Sequence, residues 1–205
     1  MARTEFLKSD AKAPAVIDDE LRERIVAGSA ALRALEAPHP TILGPVSDDR
    51  LAIRETLVRY SSVFDQERWD LVTEVFTPDA DFGGEGAGPS RFVDGARAFY
   101  ADRLTGLHSI ADPVLRIEGD RAWAYTDFMT IAIHDPADGL DDHLDRLRSG
   151  GFYVDELRRT DAGWRISARQ VAYSSSVRDT ITGGADLRES IARTRSRLAD
   201  SPAFA

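Results

Sequence analysis

The apolar residues of this chain change period part-way along it, and no other feature restricts the possible folds as much. After Ser47, Ile53, Leu57, Tyr60 and Phe64 recur at the spacing of one helix face. After His108 the apolar and β-branched residues fill extended runs instead. Glu118-Gly119-Asp120-Arg121 and Thr160-Asp161-Ala162 punctuate those runs as hairpin turns. Helices first and antiparallel strands afterwards make an α+β fold.

Ser47-Asp48-Asp49 supplies an N-cap and first-turn acids for a first helix of about four to five turns. A second helix is expected over residues 68–76, stopped by Thr77-Pro78, and a short strand over 79–82. The third helix covers 91–104, with Phe92, Ala96, Phe99 and Leu104 inward. Strands follow at 108–117, 122–133, 151–159 and 163–173. A bent sheet wrapped around three helices gives a cone-shaped barrel enclosing a pocket, a place for apolar ligands with a few polar groups.

This domain spans 47–178. Before it, residues 1–46 hold an amphipathic helix at 17–36, carrying Ile17, Leu21, Ile25, Leu32 and Leu35, and a Pro-rich linker. Such a helix must pack on its own domain or on a second subunit, and a homodimer or higher homo-oligomer is expected. After it, residues 179–205 form a tail with a short helix bearing Leu187, Ile191 and Leu198.

Composition narrows the partners. With 26 basic against 35 acidic residues the net charge is -9, unsuited to a phosphate backbone, so no nucleic-acid partner is expected. The absence of cysteine excludes disulfides, thiolate zinc sites and a cysteine nucleophile. No apolar run approaches the ~18 residues that cross a bilayer, and MARTEFLKSDAKAP lacks a secretory apolar core. The reading is a cytoplasmic protein, free of membranes, that handles a small molecule.

Motifs for phosphate loops, nucleophile elbows and zinc helices are missing. The glycines at 83–88 have the wrong spacing for a dinucleotide, and Pro89 stands where a helix should open. Neither a cofactor nor a metal is expected. His39 lies between prolines, and His134 and His143 flank an acidic loop with no ligand spacing. His108 opens an apolar strand, Gly106-Leu107-His108-Ser109-Ile110, where a lone histidine more often serves the core than catalysis.

Longer stretches add a resemblance. Leu57-Val58-Arg59-Tyr60-Ser61-Ser62-Val63-Phe64-Asp65-Gln66-Glu67-Arg68-Trp69-Asp70 runs into Phe76-Thr77-Pro78-Asp79-Ala80-Asp81-Phe82, followed by His108, Gly119-Asp120 and Gly163-Trp164-Arg165-Ile166. Over roughly 47–177 this resembles the SnoaL-like branch of the nuclear transport factor 2-like superfamily. That branch includes dehydratases, dehydrochlorinases, isomerases, cyclases and non-catalytic binders. The resemblance implies that Asp65 orients His108, which removes a substrate proton, and that Tyr60 is an active-site tyrosine. The resemblance also brings Thr126, Arg169 and Tyr173 to the substrate, while Phe64, Trp69, Phe82 and Phe128 are candidate walls from among the aromatics, at least half of which are expected to be plain core. Thr126 stands where scytalone dehydratase has a second histidine. Tyr173 stands where a bile-acid dehydratase has an arginine, with Arg169 two strand steps away.

Chemistry supports the pair independently. Imidazole accepts and returns a proton near neutral pH. A carboxylate on one ring nitrogen fixes the tautomer, and a phenol can donate to an oxygen gaining charge. Five helical steps put Tyr60 and Asp65 about 140° apart, so they converge only if Asp65 ends its helix. The function implied is a cofactor-independent lyase, by dehydration-type elimination or retro-aldol cleavage, on a ring-containing molecule. Isomerisation, cyclisation and a non-catalytic binding or pairing module are the alternatives.

Overall fold

The computed structural model describes residues 47–83, 88–136 and 143–199. The expected 17–36 helix, its linker and most of the acidic loop lie outside them. The observed order is helix α1 (Asp48–Asp65), a 3₁₀ turn (Trp69–Glu74), strand β1 (Phe76–Asp81) and helix α2 (Pro89–Phe99). Strands β2 (Arg103–Ile110), β3 (Val114–Glu118), β4 (Arg121–His134), β5 (His143–Thr160) and β6 (Gly163–Thr182) follow, then helix α3 (Gly184–Ala199). The fold is α+β with a mixed six-stranded sheet ordered β1-β6-β5-β4-β2, β3 also pairing with β4.

Ser47 caps α1 through its Oγ, which accepts from the Arg50 amide at 3.3 Å. Both ends of α1 are tied to the sheet. At the start, Asp49 accepts two bonds from Arg159 at 2.7 Å and one from Trp164 Nε1 at 3.1 Å. Two turns on, the Thr56 hydroxyl donates to the Trp164 carbonyl at 3.0 Å. The helix is thereby laid from the β5–β6 turn toward β2, with Ile53, Leu57, Tyr60, Val63 and Phe64 buried in the core.

Several expectations need correction. Residues 68–76 form only a 3₁₀ turn, and Phe76 already belongs to β1. Pro78 does not merely stop a helix but lies inside β1, tolerated because β1 is an edge strand. The third helix ends at Phe99, which is exposed rather than inward, and Leu104 belongs to β2. The single strand at 108–117 is two strands, since three residues, 111–113, oppose Asp127 and Thr126, and Pro113 has no amide for the ladder.

Strands β5 and β6 run to His143 and Thr182, well past the expected limits. Residues 174–182 are mostly exposed and polar, with Val177 and Ile181 too few to mark a strand by period. A bulge at Gly150/Gly151 bends this long hairpin. There a Cβ on Gly151 would sit 2.0 Å from the Ala172 carbonyl oxygen, so only glycine permits the approach. No described helix is long and apolar enough to cross a membrane.

Candidate active site

Asp65 is the last residue of α1, and His108 lies on β2 opposite it. His108 Nδ1 and Asp65 Oδ1 are 2.6 Å apart, and the His108 backbone amide donates to Asp65 Oδ2 at 2.7 Å. One carboxylate therefore holds both the ring and the main chain of the histidine. With Nδ1–H donating to Asp65, the ring carries its lone pair on Nε2. Nε2 makes no hydrogen bond among the described residues. The His108 side chain is 5% exposed and that of Asp65 16%.

Tyr60 reaches the same place because Asp65 terminates the helix. Its ring meets His108 edge-on at 5.8 Å, and the Phe64 ring lies 6.2 Å from the imidazole. Aromatic contacts radiate from there. Phe64 touches Trp69 at 5.2 Å and Phe92 at 5.5 Å, while Phe82 stacks on Phe92 at 4.3 Å. Phe128 stacks on Tyr153 at 4.3 Å and meets Tyr173 edge-on at 5.7 Å. Tyr173 itself is largely exposed. Thr126 is buried, and its hydroxyl has no partner among the described residues.

Arg169 is fully buried and binds Asp155 through Nε and Nη2 at 2.7 and 2.8 Å. Its guanidinium packs against both the Tyr60 and Tyr153 rings, 4.0 and 4.1 Å from their centroids. Nη1 has no hydrogen-bond partner among the described residues. Burial pushes the Asp155 carboxyl up, with Arg169 pulling back. Burial likewise raises the Tyr60 phenol, which stays neutral and able to donate.

The structure thus gathers Tyr60, Asp65, His108, Phe64, Trp69, Phe128, Thr126 and Arg169 on or beside the inner sheet face, with Phe82 joined through Phe92. Sequence reasoning missed Tyr153 and Asp155. Alternation along β5 held a clue, since Tyr153, Asp155 and Leu157 share one face with Leu157 plainly a core residue. His134 is also buried, its Nδ1 3.1 Å from Asp102 Oδ1. No three histidines or carboxylates cluster to hold a metal among the described residues.

Comparison with known proteins adds the lineage. The SnoaL-like domain model matches residues 45–170. A Mycobacterium tuberculosis protein is 33% identical over 132 residues, 59% of this chain and 82% of its own. A crystal structure from Kribbella flavida superposes with a TM-score of 0.56 at 27% identity, covering 69% of this chain and 97% of the other. A hexachlorocyclohexane dehydrochlorinase superposes with a TM-score of 0.54 at 17% identity, covering 65% and 89%. A scytalone dehydratase-like protein of Novosphingobium aromaticivorans gives 0.52 at 14%, covering 62% and 84%. The last two likenesses are of fold alone. The chain belongs to the SnoaL-like domain family.

Proposed function

We propose that this protein is a lyase that works by acid–base catalysis, without a cofactor, on a small, largely apolar, ring-containing molecule. The observation that carries the reading is the double grip of Asp65 on His108, which leaves Nε2 as the nitrogen open to a substrate. Nε2 takes a proton from carbon in an elimination, or from a hydroxyl in a retro-aldol cleavage. The imidazolium is stabilised by Asp65 and returns that proton to the departing group, most simply hydroxide, which leaves as water. Tyr60 donates to the substrate oxygen that gains charge. Returning the proton to another atom would instead give isomerisation or cyclisation. Fold neighbours with lyase names, a dehydrochlorinase and a dehydratase, support the class.

A second reading has its own observation. The His108 side chain is nearly covered and Tyr60, Phe64 and Tyr153 are buried beside it, which also suits a ligand-binding module braced by the pair. The deciding experiment offers ring β-hydroxy ketones and β-chloro compounds and follows the new conjugated product by absorbance. Turnover that disappears in folded His108→Gln supports the lyase. Ligand binding without turnover supports the module.

Assembly belongs to the same proposal. Leu107, Ile131, Arg148 and Val177 are register partners across four strands, with Met129 beside them, and the apolar four are exposed on the outer sheet face. A second copy of the chain is the proposed cover.

A further inference from the structure

Arg103 lies on β2 five residues before His108, so strict alternation would point the two to opposite faces. They share a face because β2 carries one extra residue. Arg103 pairs with His134 and Thr105 with Ile133, which leaves Leu104 unmatched. The bulge turns Arg103 into the layer of His108, where its side chain is 1% exposed. A charge so buried requires partners. Nη2 donates to the Phe64 carbonyl at 2.6 Å and lies 3.4 Å from Glu67 Oε1, and the guanidinium stacks 4.1 Å from the Tyr100 ring centroid. Gly106 leaves the space, since a Cβ there would stand 2.5 Å from Arg103 Nη1.

These partners flank Asp65. The Phe64 carbonyl, one residue before it, is among the last carbonyls of α1, which the helix itself cannot satisfy. Glu67, two residues after it, has φ of +57°, a left-handed conformation that non-glycine residues rarely adopt. Arg103 grips the chain on both sides of the carboxylate, while His108, on the same strand, binds the carboxylate itself. We propose that Arg103 is a positioning residue that fixes the end of α1, so that Asp65 meets the ring and backbone of His108 together. Its consequence for rate rests on the proposed function, but its structural content can be read without any substrate.

The test uses the ¹⁵N-labelled full chain and the imidazole nitrogen spectrum, with His108 assigned from His108→Gln. The wild-type ring is expected as the single Nδ1–H tautomer, with an Nδ1 proton slow to exchange. In Arg103→Met the ring should populate both tautomers and Nδ1 proton exchange should quicken ~10-fold or more. Gly106→Ala, which displaces the guanidinium without removing it, should act in the same direction, and Arg103→Lys should restore part of the effect. Far-ultraviolet dichroism and melting establish that each variant is folded. A folded Arg103→Met or Gly106→Ala protein with an unchanged His108 tautomer and exchange rate overturns the proposal. If Arg103→Met does not fold, Gly106→Ala decides by the same criterion. A wild-type ring in mixed tautomers also overturns it. A failed substrate screen leaves these outcomes readable, so the two proposals fall separately.

Discussion

Replacing Arg169 by methionine should be among the most damaging single changes in the core, and the structure says by how much. The substitution keeps an apolar stem but strands Asp155, which has no exposed surface. Removing one partner of a buried ion pair costs about 3–5 kcal/mol. Loss of the contacts with the Tyr60 and Tyr153 rings adds to this, at ~2 kcal/mol for each desolvated contact. For a chain of this size each kcal/mol moves the melting point by about 2–4 °C, so a fall of at least ~6–20 °C is expected. Adding Asp155→Leu removes the stranded carboxylate and should recover most of the loss, because apolar replacement of a buried pair is often neutral.

The pH dependence has a definite sign. Burial already pushes the Asp155 carboxyl up, and without Arg169 nothing nearby pulls it back. The folded variant therefore holds a proton that the unfolded chain gives up above its ordinary carboxylate value. Its deficit should be small near pH 4 and grow as pH rises. Urea unfolding of both single variants and the double supplies the cycle. An Arg169→Met protein within ~1 kcal/mol of wild type, or additive effects in the double variant, would refute the account of this pair.

Three further outcomes are expected. Arg159 and the Trp164 indole hold the Asp49 carboxyl down, at about 2 against a usual 3.8. Its contribution is present above the unfolded value and lost as pH falls toward 2, so Asp49→Asn should be less stable than wild type at neutral pH and converge with it near pH 2 in acid-unfolding curves. Tyr60→Phe should fold normally yet slow turnover ~10–1000-fold if the phenol serves a developing oxyanion, as measured with any substrate from the screen. Met129→Asp places a charge in the exposed patch with Leu107, Ile131 and Val177, and light scattering should show a shift toward monomer.

Much of this architecture is legible in the residues themselves. The period of Ile53, Leu57, Tyr60 and Phe64 marks the inner face of α1, and Ser47 marks its start. The pairing of Asp65 with His108, by contrast, followed from resemblance, because 43 residues separate them and no local pattern joins them. What escaped was written in irregularity. The extra residue at Leu104 reverses the parity of β2 and hides Arg103 from any alternation argument. Asp155 was hidden for another reason: an acid in a strand reads as solvent-facing unless its cation, here Arg169 on the neighbouring strand, is already known to face it. The outer half of the β5–β6 hairpin is held by backbone pairing along a polar sequence, a tertiary effect that hydropathy does not report.

Proton removal by His108 underlies the proposed reaction. It is tested most directly by the rate at which the protein exchanges or eliminates an acidic C–H of a bound ring ketone in deuterated buffer, wild type beside folded His108→Gln. Deuterium incorporation or product formation is expected in the wild type, with a loss of about 10²–10⁴-fold in the variant. A folded His108→Gln protein working at the wild-type rate would contradict it.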